Sequence, residues 1–196
     1  SSKMNLFLHG ASDFNIMQGD TLRNPKILSN GELATFDCVI ANPPFSLKKW
    51  GATEWSNDKY GRNIWGPPSD SCGDFAWIQH MIASMSRGNS RMAVVMPQGV
   101  LFRDDEKSIR EKLIKTGHVD VMISVGNNFF YTKSLPCSLW FFDKGKPEEL
   151  QDKVLFIDAR NYYTVVDRTL NEWSEWQLKN LNAIVWLYRG ETDKDK

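Results

Sequence analysis

The feature that most constrains the fold is a series of short apolar runs that alternate with segments of helical periodicity. This alternation is typical of a layered α/β protein built on one sheet. Near-continuous apolar strands of this kind belong to sheets that are covered on both faces. We therefore predict an α/β fold with strands at residues 14–17, 36–41, 91–96, 119–125, 138–142 and 154–157.

Two helices are predicted between these strands from their apolar spacing and from residues that favour helix ends. Apolar residues at positions 75, 78, 82 and 85 recur at helical spacing, and Gly88 stands where a C-terminal glycine is expected. Asp104 or Asp105 can cap the next helix, which ends at Gly117. These helices supply the layers that the apolar strands need.

A third helix is predicted near the C-terminus, where residues at both ends favour it. Ser174 and Gln177 have the spacing of a capping box, in which each side chain bonds the backbone N–H of the other residue. Gly190 stands at the position that ends the helix. We expect the helix to bury an apolar stripe that includes Leu181 and Val185.

Composition excludes several classes of protein. Basic and acidic residues number 24 each, so nucleic-acid binding would depend on a local patch or on partner chains. No apolar run approaches the ~20 residues that cross a bilayer. The three cysteines are far apart and the three histidines are scattered, so we predict no disulfide framework and no metal site. We expect a cytoplasmic protein without a membrane segment.

The segment at residues 46–73 (the 46–73 loop) is assigned to neither a helix nor a strand. It is polar, contains Pro67-Pro68, and mixes basic residues with aromatic ones. Long connections inside a domain are usually functional or mobile, and basic residues interleaved with aromatic ones can grip a nucleic acid. A surface lid whose tryptophans pack on the core explains the same composition equally well.

The most informative motif is Asn42-Pro43-Pro44-Phe45 (the NPPF loop, residues 42–45), which directly follows a predicted strand. Ligands of open α/β sheets bind beyond the carboxyl ends of strands. The two prolines stiffen the turn. The Asn42 side-chain oxygen and the Pro43 carbonyl can then accept both hydrogens of one planar amine, which turns its nitrogen toward an electrophile. Phe45 could stack on the same planar ring, although a plain rigid turn capped by Asn42 is the alternative.

Several segments of the chain, taken in order, carry a resemblance to a known family. The chain resembles the γ-type N6-adenine DNA methyltransferases, in particular the modification subunit of type I restriction–modification systems. The resemblance covers nearly the whole chain, and NPPF gains specificity from the segments around it. These segments are MQGDTL at 17–22, FDCVIANPPF at 36–45, GDFAWIQH at 73–80, RMAVVMPQGV at 91–100, FFYTKSLPCS at 129–138, LFIDARN at 155–161 and VDRT at 166–169.

The resemblance implies a partial Rossmann-like sheet with flanking helices that uses S-adenosylmethionine to methylate adenine N6 in DNA. Such enzymes flip the target base out of the duplex. By this analogy Asn42 and Pro43 hold the adenine amine, and Pro44 belongs to the same catalytic motif. Phe45 would stack on the base and Phe130 would pack on it from another direction, although Phe130 also suits a strand-edge core position.

On the cofactor side the resemblance assigns roles to three residues. Asp20 would accept a hydrogen bond from the adenine amine of S-adenosylmethionine, Phe75 would pack on that adenine, and Asn42 would border the cofactor. Each of the first two residues has an alternative role: Asp20 suits a turn or a helix cap, and Phe75 suits the core face of a helix.

The family also uses a Gly-rich loop after its first strand and an acidic residue after its second. Neither pattern occurs in this sequence. We therefore expect a fragment with an incomplete cofactor site, in which residues 1–160 form the C-terminal half of the catalytic domain and residues 161–196 form a C-terminal helical tail. Such a fragment would be inactive by itself. Its unpaired sheet edge would favour a homodimer or a marginally stable chain.

The resemblance implies double-stranded DNA as the substrate, and a specificity subunit and a restriction subunit as partners. Methyltransferases that act on glutamine N5 in proteins or on guanine N2 in RNA use the same acceptor geometry, so both are alternatives. A non-catalytic assembly module of a methyltransferase complex is a further alternative. The LFIDARN segment and the Phe129-Phe130 pair favour the DNA enzyme.

We predict that this chain binds S-adenosylmethionine weakly, since its sequence contains neither the Gly-rich loop nor the ribose-binding acid of the family. Isothermal titration calorimetry of the 196-residue chain should show no tight binding. A submillimolar dissociation constant would contradict the expectation of an incomplete cofactor site.

Overall fold

The computed structural model describes residues 2–130 and 135–191, and within them a five-stranded mixed sheet is flanked by helices. The predicted α/β architecture is therefore confirmed. The strands are β1 (Leu28–Ser29), β2 (Glu32–Leu33), β3 (Cys38–Ala41), β4 (Arg91–Pro97), β5 (Val119–Val125), β6 (Cys137–Asp143), β7 (Leu155–Ala159), β8 (Thr164–Val165) and β9 (Asn171–Glu172). The helices are α1 (Ser2–Leu8), α2 (Ala52–Trp55), α3 (Asp74–Ala83), α4 (Lys107–Lys115) and α5 (Glu175–Arg189). None of these helices of the described residues is long and apolar enough to span a membrane.

The strands of the central sheet lie in the order β3-β4-β6-β5-β7, and β6 alone runs against its neighbours. β3 pairs in parallel with β4, and β5 pairs in parallel with β7. Because β6 lies antiparallel between β4 and β5, the four other strands all end at one edge of the sheet. The loops that follow those strands meet at this edge, and the NPPF loop is the one that follows β3.

One face of the sheet packs against α3 and α4. The core on this side includes Phe75 and Ile78 from α3, Leu113 from α4, and Met96 and Trp140 from the sheet. Each of these five side chains is at most 1% exposed. Burial of a large apolar side chain contributes about 1.5–3 kcal/mol relative to leaving it exposed, so this face forms the main core.

The opposite face of the sheet is covered only in part. α5 packs over β5 and β7, whose residues Val121, Ile123 and Val125 are buried. Over β3 and β4 no helix of the described residues covers this face, and Ile40 is 76% exposed. The expectation of two covered faces is thus met on one face and, among the described residues, only in part on the other, where α5 packs over β5 and β7.

α5 is fixed at both of its ends. Ser174 Oγ accepts a hydrogen bond from the Gln177 backbone at 3.3 Å and Gln177 Oε1 accepts one from the Ser174 backbone at 2.9 Å, which confirms the predicted capping box. Gly190 ends the helix with a φ of 72°. At the same end, Arg189 Nη2 lies 2.5 Å from Oδ2 of the buried Asp120 on β5. The tail helix therefore packs on the sheet, while the domain boundary at residue 160 stays a prediction.

Two local predictions in the first half of the chain are wrong. Residues 14–17 form no strand, since Met17 is 52% exposed and the described chain offers this short run no partner strand. α3 ends at Ala83, earlier than its apolar spacing predicts, with Ser84 in the cap position. Gly88 lies in the loop beyond it, where its φ of +94° serves a turn and not the helix end.

The start of α4 also differs from its prediction. Asp104 and Asp105 both lie in a 3₁₀ turn (Asp104–Glu106), so Glu106 occupies the N-cap position and no side-chain cap bond forms. The predicted end of the helix is confirmed, because Gly117 follows it with a φ of +73°.

Removal of the Arg189 side chain should destabilise the fold. We expect Arg189→Ala to lower the free energy of unfolding by about 2–3 kcal/mol, because the buried Asp120 carboxylate loses its partner. Urea unfolding followed by circular dichroism measures the change. Lys179→Ala, which removes an exposed ion pair with Glu175 on the same helix, should cost less than about 1 kcal/mol. Equal losses in the two variants would contradict the role given to Asp120.

Candidate active site

The NPPF loop combines a buried proline with an exposed amide. Pro43 is buried, whereas Asn42 and Pro44 are exposed. Within residues 2–130 and 135–191 no group hydrogen-bonds the Asn42 carboxamide. Because the proline ring fixes the backbone, the loop holds a free carboxamide at the edge of the sheet.

An apolar cleft of about 410 Å³ lies beside Asn42 on the uncovered face of the sheet. Its walls are Ala93 and Val95 of β4 and Leu139 and Phe141 of β6, with Asn42 at the rim of the strand ends. A planar aromatic group can lie against these apolar walls while its polar edge meets the carboxamide. The space beside Asn42 is therefore open, and the binding of an amine there stays a prediction.

Phe45 and Phe130 pack against the same core cluster on the second face of the sheet. Both rings are partly buried there. The two predicted stacking residues therefore share one core cluster. Their contact with a base stays a prediction. Residues 131–134 of the FFYTKSLPCS segment and residues 192–196 of the predicted tail lie outside the described residues.

Asp20 lies in a turn that precedes β1. Its carboxylate accepts hydrogen bonds at 3.0 Å from both the backbone and the guanidinium of Arg23, and its side chain is 49% exposed. Burial tends to raise the pKa of Asp20, but the hydrogen bonds from Arg23 hold it below its ordinary value. The ionised carboxylate can accept further donors. The pairing of Asp20 with Arg23 is also what a turn residue would form. The predicted hydrogen bond from the cofactor adenine to Asp20 therefore stays a prediction.

Phe75 lies inside the main core. Its side chain is 0% exposed, and its ring packs edge-to-face against Trp140 with the centroids 6.0 Å apart. Of the three residues predicted on the cofactor side, Asn42 and Asp20 are open to a ligand and Phe75 is not. Phe75 is therefore enclosed where the predicted role needs an open ring, and the roles of Asn42 and Asp20 stay predictions.

Two of the three tryptophans of the 46–73 loop are buried core residues. Trp50 is 1% exposed and Trp55 is 2% exposed, and their rings meet edge-to-face at 5.3 Å. They pack with Leu22 and with Ala76 of α3. Of the two interpretations of this loop, the structure supports the lid whose tryptophans pack on the core.

Arg62 joins the 46–73 loop to the segment that carries Asp20. Its guanidinium is buried, pairs with Asp58 at 2.6 Å, and donates to the carbonyls of Thr21 at 2.8 Å and Leu22 at 2.9 Å. Burial tends to raise the pKa of Asp58, but the hydrogen bonds from Arg62 hold it below its ordinary value. This basic residue of the 46–73 loop is therefore a buried link between two irregular segments.

Asp74 is a second residue that sequence reasoning did not single out. It is the first residue of α3, is 0% exposed, and accepts a hydrogen bond at 2.7 Å from the backbone N–H of Ser46, which directly follows the NPPF loop. The sequence feature that could have pointed to Asp74 is an acidic residue at the start of an apolar helix, in the segment GDFAWIQH. The contact itself spans 28 residues and has no local pattern.

No group of three or more metal-ligating side chains lies together among the described residues. Of the histidines, His80 lies on α3 with its Nδ1 3.4 Å from Nη1 of Arg62. Burial lowers the pKa of His80 to about 4, and the nearby Arg62 charge acts in the same direction. His80 is therefore a neutral structural histidine at neutral pH.

Similarity to known proteins covers almost the whole chain. The family model described as N-6 DNA Methylase matches residues 2–196. The chain belongs to this family. The resemblance carried by the NPPF loop and the segments around it is thereby confirmed, and the family is one of DNA methyltransferases.

Two relatives of the chain are type I restriction enzyme methylase subunits of Methanocaldococcus jannaschii. The MjaIX subunit is 32% identical over 200 residues, a match that covers 100% of this chain and 35% of that protein. The MjaVII subunit is 32% identical over 203 residues, a match that covers 98% of this chain and 33% of that protein. The chain thus spans about a third of the length of these curated relatives.

The fold is also that of a solved methyltransferase. The methyltransferase subunit of a type I restriction-modification system from Streptococcus thermophilus superposes with a TM-score of 0.82 at 28% identity. The match covers 98% of this chain and 40% of that chain. The predicted methyltransferase sheet is therefore confirmed, and fold and family are those of enzymes that use S-adenosylmethionine.

The neutral state of His80 predicts a loss of stability in acid. Its pKa is 6.5 when exposed and about 4 in the folded chain, so the unfolded state binds a proton first and stability falls as the pH drops from 6.5 toward 4. Each pKa unit corresponds to about 1.4 kcal/mol, so the His80 contribution at pH 5 is about 2 kcal/mol lower than at pH 8.

Urea unfolding of the wild type and of His80→Gln at pH 8 and pH 5 measures this effect. The variant should lose less stability between the two pH values, by about 2 kcal/mol. His9→Gln is the matched control, since His9 is exposed, and it should behave like the wild type. An unchanged pH dependence in His80→Gln would show that His80 is not the group responsible.

Proposed function

We propose that this chain forms the amine-binding part of a DNA methyltransferase that acts on adenine N6 in a type I restriction–modification system. The observation that supports the proposal most is the free Asn42 carboxamide, which is anchored by the buried Pro43 and helps to line the apolar cleft. The membership of the family and the similarity to type I methylase subunits support the substrate class.

The NPPF loop supplies the chemistry through its acceptors. The exocyclic amine of adenine is a poor nucleophile because its lone pair is delocalised into the ring. When the amine donates both hydrogens to the Asn42 side-chain oxygen and the Pro43 carbonyl, its nitrogen can pyramidalise and direct the lone pair out of the ring plane. S-adenosylmethionine, when bound, supplies a methyl group on a sulfonium as the electrophile. The bond between the amine nitrogen and the methyl carbon forms as the methyl–sulfur bond breaks. The amine releases its proton to solvent only afterwards, so no general base is needed at the start.

Access to the amine requires that the base leaves the helix. A stacked adenine cannot reach a methyl donor, so the enzyme flips the target nucleotide out of the duplex at a cost of a few kcal/mol. Phe45 and Phe130 would stack on the extruded base, a role that their packing on one core cluster supports. Asp20 would bind the cofactor from the turn before β1.

Partner subunits complete the proposed enzyme. The relatives are named as methylase subunits of type I restriction enzymes, which supports assembly with a specificity subunit and a restriction subunit on double-stranded DNA. The net charge of this chain is zero, so most phosphate contacts would come from partner chains. The exposed outer strand β3 also permits a homodimer of the isolated chain.

Loss of the Asn42 carboxamide should abolish methylation. In the full methylase subunit assembled with its partners, we expect Asn42→Ala to lower kcat for adenine methylation by about 100-fold or more, since a group aimed at developing charge is worth that much. Methyl transfer to DNA that contains the recognition site measures the rate. Asn182→Ala, at an exposed position of α5, is the control and should leave the rate unchanged.

The same assay separates the alternatives. Transfer to RNA or to a protein glutamine in place of DNA would point to the guanine N2 or glutamine N5 class. An unchanged rate in Asn42→Ala, with the complex assembled, would reject the proposal and favour a non-catalytic assembly module.

A further inference from the structure

The residue that follows the NPPF loop has a backbone conformation that needs support. Ser46 has a φ of +52°, in the left-handed region that residues with a side chain rarely occupy. Two hydrogen bonds hold this position: the Ser46 N–H donates to Asp74 Oδ1 at 2.7 Å, and the Gly73 N–H donates to the Leu47 carbonyl at 2.9 Å. The start of α3 therefore fixes the chain immediately beyond the loop.

The second oxygen of Asp74 is also fully engaged. Its Oδ2 accepts from Arg103 Nη2 at 2.5 Å and from Cys72 Sγ at 3.1 Å. Arg103 Nη1 in turn donates to Cys72 Sγ at 2.7 Å. Because Asp74 is 0% exposed, its charge would be very unfavourable without this guanidinium. The carboxylate is thus oriented by a cation on one side and orients a backbone N–H on the other.

Arg103 is itself held between two buried acids. Its Nε lies 3.6 Å from Oε2 of Glu106, whose side chain is 2% exposed. Within the described residues neither oxygen of Glu106 has a hydrogen-bond partner, so the Arg103 charge is the main compensation for it. Arg103 lies just beyond the 3₁₀ turn (Gln98–Leu101) that follows β4. The contact chain therefore joins the carboxyl end of β4 to the loop after β3.

We propose that Asp74, fixed by Arg103, is a positioning residue that sets the conformation of the NPPF loop and so aims the Asn42 carboxamide at the substrate amine. This inference rests on the proposed function, since it gives Asn42 its role. Such positioning is needed because the Asn42 oxygen must lie accurately in line with an N–H of the substrate amine. The NPPF loop is tied to β3 at one end, and the Ser46–Asp74 bond ties its other end to a rigid helix.

The variants Asp74→Asn and Arg103→Lys test the proposal in the full methylase subunit assembled with its partners. Asp74→Asn keeps an oxygen for the Ser46 N–H but loses the charge that fixes it. We expect kcat for adenine methylation to fall about 10- to 100-fold, with KM for DNA and for S-adenosylmethionine within about twofold of the wild type. Arg103→Lys keeps the positive charge but lacks the planar guanidinium with its several N–H donors. We expect a loss of kcat between that of the wild type and that of Asp74→Asn.

Asp120→Asn is the matched control. Asp120 is as buried as Asp74 and is also paired with an arginine, but its partner Arg189 lies on α5 and not on the NPPF loop. It should lower stability and leave kcat unchanged at a temperature where all variants are folded. Thermal unfolding of each complex verifies that condition. If Asp74→Asn does not fold, Arg103→Lys decides, because its side chain is 30% exposed and tolerates change better.

The outcomes separate this inference from the proposed function. A kcat within twofold of the wild type in a folded Asp74→Asn or Arg103→Lys variant overturns the positioning role, as does an equal loss in Asp120→Asn. If Asn42→Ala also keeps its rate, the proposed function fails as well. If Asn42→Ala is inactive while the Asp74 and Arg103 variants are not, the positioning role alone is rejected.

Discussion

The arrangement of β3, β4 and β6 is the constraint on which the candidate site depends. Because β6 runs antiparallel between β4 and β5, four strands end at one edge of the sheet. Ala41 at the end of β3 pairs with Val94, so β4 continues beyond β3 before it turns at Pro97. The extra length of β4 forms a wall beside Asn42, where Val95 lines the apolar cleft. The amide and the apolar surface that a planar substrate needs are thus neighbours because of strand register.

Buried charges hold the irregular parts of the structure. Arg62 binds carbonyls of the segment that carries Asp20, and Asp74 binds the N–H of Ser46 beyond the NPPF loop. In both cases an ion pair supplies the partner that a buried charge requires. Backbone groups in irregular segments have no ladder to pair with, so side chains must satisfy them when they are buried. The two ion pairs, Arg62–Asp58 and Arg103–Asp74, serve this purpose.

Under the proposed function, the chain supplies the amine-facing side of a methyltransferase site. Asn42 is open, the two candidate stacking rings lie on one cluster, and Phe75 is enclosed in the core. The uncovered face over β3 and β4, where Ile40 is 76% exposed, adjoins the same cleft. The chain spans about a third of the length of its curated relatives.

Local sequence determined the α/β class, all five strands of the central sheet to within two residues at either end, the capping box of α5 and the NPPF loop. These depend on periodicity, proline and short-range side-chain bonds, which are visible along the chain. Tertiary structure decided what each element packs against. It left residues 14–17 without a strand partner, shortened the strand before Asn42 to Cys38–Ala41, and enclosed Phe75. It also paired Asp74 with Ser46 and Arg62 with Thr21, because contacts between residues far apart in the chain leave no periodic signal in the sequence.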